Sequence, residues 1–468
     1  MTSPPPPPGT FHVRTFGCQM NDHDAERISG LLEAQGLRPV ATAGDADVVV
    51  LTTCTIRENA DNKLYGTLGH LKSLKERRPG MQIAVGGCTA QRDGRAILDR
   101  APFVDAVFGT HNVGAVGHLL AAARASGQPQ LEVLDGPDPD GGAWELPASR
   151  DVPWSAWVSI QTGCNNSCAF CIVPAVRGPE VSRSLEDLVA DVGRLAADGV
   201  TEVTLLGQNV NSYGRDLTHR RPLFAELLRR VGAVDGIRRV RYTSPHPKDL
   251  RPETIAAMAE VPAVCEHLHY PLQSGSDRIL AAMHRGYTAE RYLRQLAAAR
   301  VAVADLAVTT DIIVGFPGET DDDAERTLEV AAAAQYDSAY TFLFSPRPGT
   351  EAAAMADRFV AADVVAARYA RLRHVIDRAA LRRNEARVGR TEEVVVEGPS
   401  KKDPAVLTGR TRQGKLVHFP PSAKATPPRP GSYALVEVTA AAPTWLRGRL
   451  VEVTAGPRHK TRLPMAVG

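Results

Sequence analysis

Cys164, Cys168 and Cys171 stand as C-x3-C-x2-C within Thr162-Gly-Cys-Asn-Asn-Ser-Cys-Ala-Phe-Cys-Ile172, and no other stretch restricts the chain's chemistry so strongly. Three thiolates this close together can hold three irons of a four-iron cluster and leave the fourth without a protein ligand. Ferredoxin-type electron carriers close all four corners with cysteine. An open iron is a place where a small molecule can bind and react. The competing readings are a structural zinc knuckle and a chance cluster of cysteines. Zinc sites pair C-x2-C units and need four ligands, and no obvious fourth lies nearby. The spacing therefore predicts an iron–sulfur site with one open iron.

A chain of 468 residues is too long for one ordinary core and predicts roughly two to four domains. Its 43% hydrophobic and 23% charged residues are those of a soluble globular protein. Even the apolar run 296–316 is broken by Arg300, Asp305 and Asp311, so no membrane span is expected. The proline run before Gly9 has no basic n-region or apolar h-region and reads as a flexible tail, residues 1–10, not as a signal peptide. Seven cysteines at special spacings argue against a secreted disulfide scaffold and for a reducing, cytoplasmic setting. The net charge of +2 hides an asymmetry, because residues 386–468 carry 14 Lys+Arg against 6 Asp+Glu, leaving about −6 on the rest. A basic segment on a mildly acidic body fits a module that meets a polyanion. By charge alone an ordinary solvated surface fits equally well.

Residues 11–125 alternate strand and helix. Strands are expected at 11–17, 47–53, 81–86 and 106–109, with helices at 22–35, 59–78 and 93–100 between them. This rhythm predicts a doubly wound parallel sheet covered on both faces. Cys18, Cys54 and Cys88 fall just past the ends of its first three strands, where loops remote in sequence converge on ligands. Three buried structural cysteines are the bland alternative; equivalent placement at three strand ends favours a second cluster site. Residues 126–151, rich in Gly, Pro and Asp, read as a linker. A second strand–helix series follows in 152–385, with six βα units, fewer than the eight of a closed barrel. It predicts an open, partial (βα)6 barrel with the Cys164–Cys168–Cys171 loop after its first strand. In 386–455 five short alternating strands, near 393–397, 406–410, 415–419, 433–438 and 449–453, predict a small antiparallel β-barrel, OB-like. Arg410, Arg412, Lys415 and His418 interleave there with Phe419 and are candidate RNA contacts; surface decoration of a small β module competes. Residues 456–468 read as a second tail.

From residue 11 to about 454 the chain resembles one family, the methylthiotransferases of the radical S-adenosylmethionine (SAM) superfamily. The resemblance rests on Thr15-Phe-Gly-Cys-Gln-Met-Asn21, Thr53-Cys-Thr-Ile-Arg-Glu58, Val85-Gly-Gly-Cys88, the central triad with Phe170 before its third cysteine, and Gly409-Arg-Thr-Arg-Gln413. Leu205-Leu-Gly-Gln-Asn-Val-Asn-Ser-Tyr213, Arg57-Glu-Asn-Ala-Asp-Asn-Lys-Leu-Tyr65 and Cys164-Asn-Asn-Ser-Cys168 are similar to its MiaB-type branch. Thr52-Thr53 before Cys54, where Asn-Thr is common, and Pro346, where Lys is usual, depart from the pattern.

The resemblance implies a C-terminal TRAM domain and two [4Fe-4S] clusters, one on Cys164, Cys168 and Cys171 and one on Cys18, Cys54 and Cys88, with SAM as cosubstrate. It implies addition of a methylthio group to carbon 2 of N6-isopentenyladenosine beside the tRNA anticodon, an aromatic C–H that is neither acidic nor open to simple nucleophilic attack. The expected partners are that tRNA, an electron donor and a sulfur source, with no membrane and a monomeric chain. Phe170, by packing on adenine, and Gln208, Asn209, Ser244, Gln273 and Asp311, by hydrogen bonds, are expected SAM contacts, against the alternative of satisfied polar residues on a barrel rim. Cys265 is expected to be a buried hydrophobe. The rival targets are threonylcarbamoyl-adenosine in tRNA and a ribosomal-protein aspartate; the rival class is an iron–sulfur RNA-binding redox sensor.

Overall fold

A computed structural model describes residues 9–55, 58–136, 144, 146–421 and 426–459. Most of the two expected tails, residues 137–143 of the expected linker, and Arg57 of the branch motif lie outside the described residues.

The first domain is a six-stranded, all-parallel sheet in the order β2-β1-β3-β4-β5-β6. Its strands are β1 (Thr10–Phe16), β2 (Arg38–Pro39), β3 (Val48–Thr53), β4 (Gln82–Gly87), β5 (Ala106–Phe108) and β6 (Gln130–Glu132). The continuous apolar run of β3 is what a strand covered on both faces requires. Val49 and Leu51 pack with Leu64, Leu68 and Leu71 of helix Glu58–Arg77. Val48 and Val50 point the other way, to Ile28 and Leu32 of helix Gln19–Ala34 and to Leu119 and Leu120 of helix Val116–Ser126. Two expectations are corrected. Thr10, expected in the tail, opens β1 and donates its amide to Asp47 Oδ2 at 2.9 Å. The expected linker contributes β6 to the sheet, and Ser149 within it is bonded through its amide to the Glu26 carbonyl at 2.9 Å.

The central domain is an arc of six parallel strands in chain order. β7 (Ser155–Ser159) is followed by a two-residue antiparallel clip, β8 (Gln161–Thr162) with β9 (Val181–Ser182), which closes the base of the cysteine loop. β10 (Glu202–Leu206) and β11 (Arg239–Tyr242) extend the sheet from β7, and β12 (His267–His269), β13 (Ala307–Val314) and β14 (Ser338–Leu343) form its continuation. A parallel bridge between Val240 and Val264 joins the two halves. β14 does not pair with β7, so the arc is open on one side, the partial barrel that six βα units predict. The helices outside it begin at side-chain caps, for instance Ser184 accepting from the Asp187 amide and the reciprocal Thr320–Asp323 box.

The last domain is a closed five-stranded barrel, β15 (Thr391–Pro399), β16 (Leu407–Thr411), β17 (Leu416–Phe419), β18 (Tyr433–Ala441) and β19 (Leu446–Ala455), in the order β15-β16-β17-β19-β18. All its pairings are antiparallel except β17 with β19, which is parallel and closes the ring. It seals the amino ends of the central strands. Arg239, at the start of β11, donates to the Arg410 carbonyl at 2.8 Å and pairs with Glu393 at 2.9 Å. Trp154, Val395 and Tyr433 form an apolar contact in the same seam, and His459, expected in the second tail, packs on Trp154. The amino end of the arc is thus a structural joint, and the carboxyl end is left for chemistry.

Candidate active site

Cys164, Cys168 and Cys171 lie in the loop after β7 and β8, at the carboxyl end of the arc. Gly163 starts the loop at φ +72, and a Cβ there would stand 1.9 Å from the Pro179 carbonyl oxygen, so only glycine fits. The Cys164 amide donates to the Gly178 carbonyl at 3.1 Å, and the Cys171 amide turns back on the Cys168 carbonyl at 3.0 Å. The loop is also pinned from the far side of the barrel, through Ala169 N–H to the Met283 carbonyl and Ala352 N–H to the Ala169 carbonyl. Arg285, only 5% exposed, donates from Nη1 to Cys168 Sγ at 3.2 Å. Burial pushes the Cys171 thiol up to about 12 and raises that of Cys164. Such thiols must lose their protons to bind iron, and a buried guanidinium offsets the negative charge that results.

Cys18, Cys54 and Cys88 follow β1, β3 and β4, three neighbours in one parallel sheet. Adjacent parallel strands in register bring their carboxyl ends together, which is why residues so far apart in sequence share one corner. Gly87, at φ +92, precedes Cys88 where a Cβ would lie 2.7 Å from the Thr53 carbonyl oxygen. The Cys18 thiol is brought down to about 6, first by a hydrogen bond from Cys54 and further by the Arg177 guanidinium, against burial. Burial raises the Cys88 thiol, with Arg177 acting in the opposite sense. No three His, Cys, Asp or Glu side chains among the described residues converge tightly enough for a single metal ion. A zinc knuckle needs four ligands, whereas each triad offers three thiols, the number that leaves one iron of a four-iron cluster open.

The segment that follows the first triad meets Cys88 of the second at the seam between the first two domains. Ile172, next to Cys171, packs with Val176 and Cys88 in one apolar cluster. Arg177 is buried beside it and holds Asp24 of the first domain at 2.7 Å. Thr110 of that domain donates to the Val176 carbonyl at 2.5 Å. Arg177, Asp24 and Arg285 are functional candidates that the sequence did not single out, because it does not record which thiol or opposite charge stands against a charged side chain.

Five buried polar atoms beyond the carboxyl ends of the arc have no hydrogen-bond partner among the described residues: Gln161 Oε1, Gln208 Oε1, Asn209 Oδ1, His246 Nε2 and Gln273 Oε1. Each such atom costs about 1–3 kcal/mol if left alone, so their concentration here fits a polar ligand that completes the bonds. Three belong to expected SAM contacts. Asn209 is buried and gives its amide N–H to Asp249 Oδ2 at 2.8 Å. Gln273 is held at φ +66 and Ser244 at φ +58, left-handed conformations that non-glycine residues rarely adopt. Phe170 lies partly buried against Phe316, Met283 and Ala352. Asp311 faces the barrel interior and lies 3.4 Å from His269 Nε2, a neighbour not anticipated from sequence.

The expected RNA contacts are placed otherwise, and most are corrected. Lys415 is buried, its Nζ 2.6 Å from both Asp337 Oδ1 and Asn384 Oδ1. Arg412 clamps Glu266 at 2.8 Å and the Pro262 and Val264 carbonyls. Phe419 is fully buried in the small barrel's own core, and Arg410 pairs with Glu397 at 2.7 Å. Alternating charged and aromatic residues reported a joint between domains here, because an inward or domain-facing strand residue has the same two-residue period as an exposed one. His418 lies edge-on to the half-buried Trp445, and the Arg447 guanidinium stands 5.8 Å from the same ring.

Three family models match the chain in order: Uncharacterized protein family UPF0004 over residues 10–109, the Radical SAM superfamily over 158–331 and the TRAM domain over 385–451. The fold and site therefore define a radical SAM protein with a UPF0004 domain before the barrel and a TRAM domain behind it. Curated relatives carry the assignment further. The tRNA-2-methylthio-N(6)-dimethylallyladenosine synthase of Mycolicibacterium vanbaalenii is 53% identical over 93% of this chain and 86% of its own length. The synthases of Clavibacter michiganensis, 53% over 93% and 82%, and Kineococcus radiotolerans, 52% over 93% and 87%, are similar. The chain belongs to this family, the tRNA-2-methylthio-N(6)-dimethylallyladenosine synthases. Among solved structures, the radical SAM methyltransferase TsrM from Kitasatospora setae, with cobalamin and a [4Fe-4S] cluster bound, superposes with a TM-score of 0.53 at 15% identity over 74% of this chain and 77% of that one, a likeness of fold.

Proposed function

We propose that this chain is a radical SAM tRNA methylthiotransferase that adds a methylthio group to carbon 2 of N6-isopentenyladenosine beside the anticodon. The observation that carries the reading is the pairing of two cysteine triads, each at the carboxyl edge of its own parallel sheet and joined across one seam at Ile172 and Cys88. When bound, a cluster on Cys164, Cys168 and Cys171 would supply the electron that cleaves SAM to methionine and a 5′-deoxyadenosyl radical, and one on Cys18, Cys54 and Cys88 would hold the sulfur, drawn from a separate source, that is methylated and delivered.

The rest of the work is done by the protein's own residues. Arg285 donates to Cys168 and sets positive charge against the first triad, as Arg177 does for the second. Asp24 fixes Arg177, so the same ion pair holds the two domains in register. Phe170, Ile313, Phe316 and Phe344 form an apolar wall beside the first triad that keeps water from a reactive radical. The amides of Gln161, Asn209 and Gln273 orient SAM. The open side of the arc, between β14 and β7, admits a nucleotide presented on a folded RNA. An external electron donor, a sulfur source, action as a monomer and a cytoplasmic setting complete the proposal; no helix among the described residues is long and apolar enough to cross a membrane.

Mass spectrometry of tRNA nucleosides from a deletion strain tests the substrate. Loss of 2-methylthio-N6-isopentenyladenosine, with accumulation of its unmodified precursor, is expected. Unchanged levels contradict the proposal.

A further inference from the structure

We infer that His246 is a binding residue for SAM, donating its Nε2–H to an acceptor atom of that molecule; the inference rests on the reading of the site given above. His246 follows β11 in the turn Ser244-Pro245-His246. Its backbone is fixed in both directions by Asn211, whose amide group accepts from the His246 N–H and donates to the His246 carbonyl, each at 3.2 Å. The imidazole caps the short turn Pro247–Asp249, with Nδ1 accepting the Lys248 amide N–H at 3.2 Å. A ring nitrogen that accepts carries no proton. Burial, with the Arg285 guanidinium nearby, keeps the imidazole neutral by holding its pKa far below the ordinary value. A neutral imidazole has one N–H, which must therefore be on Nε2.

That N–H is buried and has no acceptor among the described residues. The aromatic neighbour, Tyr287, meets His246 edge-on at 5.9 Å, and its hydroxyl is already committed to the Pro271 and Leu272 carbonyls. Arg285, the other close group, points to Cys168. The same turn is tied to the strand-end amides, since Asn209 donates to Asp249 and Gln161 donates to the Asn209 carbonyl at 2.8 Å. With their N–H groups so engaged, the free atoms of Gln161 and Asn209 are acceptors, and His246 supplies the complementary donor. SAM offers both kinds of group: an ammonium and hydroxyls for the amide oxygens, and a carboxylate, ring nitrogens and ribose oxygens for the imidazole N–H.

Two substitutions separate the donor from the cap. His246→Asn keeps an acceptor where Nδ1 stands and loses the reach of Nε2. His246→Gln places a donor where Nε2 stands and loses the cap. SAM affinity is measured by equilibrium dialysis on the full-length, iron-reconstituted chain, with iron content and melting temperature recorded alongside. H246N is expected to bind SAM about tenfold or more weakly at unchanged iron content, and H246Q to stay within about threefold of the parent despite a lower melting temperature. Parent-like affinity in H246N, or equal weakening in both variants, overturns the inference by reducing the ring to a cap or a packing element. A parent chain that binds no SAM overturns the reading of the whole site, and this inference with it.

Discussion

The two ends of the central barrel are built from similar residue types to opposite purpose. At the amino end, Lys415 meets Asp337, Arg412 meets Glu266, Arg387 meets Glu392 and Asp305, and Arg241 meets Glu202, all within 3.1 Å. Charge there is matched by charge, and the buried nitrogens left over among the described residues include Arg239 Nε, Arg300 Nε and His459 Nδ1. At the carboxyl end, thiols and amide oxygens are buried with fewer protein partners, and the cations Arg177 and Arg285 face sulfur. A satisfied polar cluster reports architecture; an unsatisfied one reports a ligand. The difference also says that the C-terminal barrel is bolted to the catalytic domain, so any RNA it holds is presented at a fixed place relative to the clusters.

The largest expected effect lies at the carboxyl end. Cys168→Ala should abolish formation of 5′-deoxyadenosine from SAM in the reduced, reconstituted protein, as read by chromatography; residual formation at the parent rate breaks the proposed division of labour. Next comes the amino end. Lys415→Met leaves the buried Asp337 with Arg383, 3.4 Å away, as its remaining cation, which costs about 1–3 kcal/mol and should appear as a lower denaturation midpoint at unchanged SAM affinity. A parallel loss of SAM affinity would show that the two ends are not separable.

The third effect depends on pH and belongs to the metal-free chain. The Cys18 thiol is lowered to about 6 from the ordinary 9.0. A group lowered on folding stabilises fully above its unfolded value and loses that contribution as pH falls to its folded value. The melting-temperature advantage of the parent over Cys18→Ser, measured without iron, should therefore grow between pH 6 and pH 9. An advantage that is flat or shrinks over that window removes the thiolate. The smallest effect is expected at Arg410. Its pair with Glu397 is about one-third exposed on both sides, so Arg410→Ala should change stability by about 0–1 kcal/mol and leave tRNA affinity, by filter binding, nearly unaltered.

Much of this was legible in the chain. The apolar run of β3 and the cysteines past β1, β3 and β4 follow from periodicity and from the geometry of parallel sheets, and Cys265 is buried as expected. β6 was hidden inside a Gly- and Pro-rich stretch because a three-residue edge strand has no period to read. The partners of Lys415 and Arg412 were also hidden. Sequence records that a residue is basic, but not that a carboxylate from another domain stands opposite it. Arg177 and Arg285 were invisible for the same reason, and their roles come from burial next to thiols.

Iron and sulfide per chain, counted in the parent and in Cys168→Ala and Cys18→Ala variants, test the central claim most directly. Two clusters on separate triads predict about eight irons in the parent and about four in each variant. About four in the parent, or loss of all iron from either variant, would contradict two independent cluster sites.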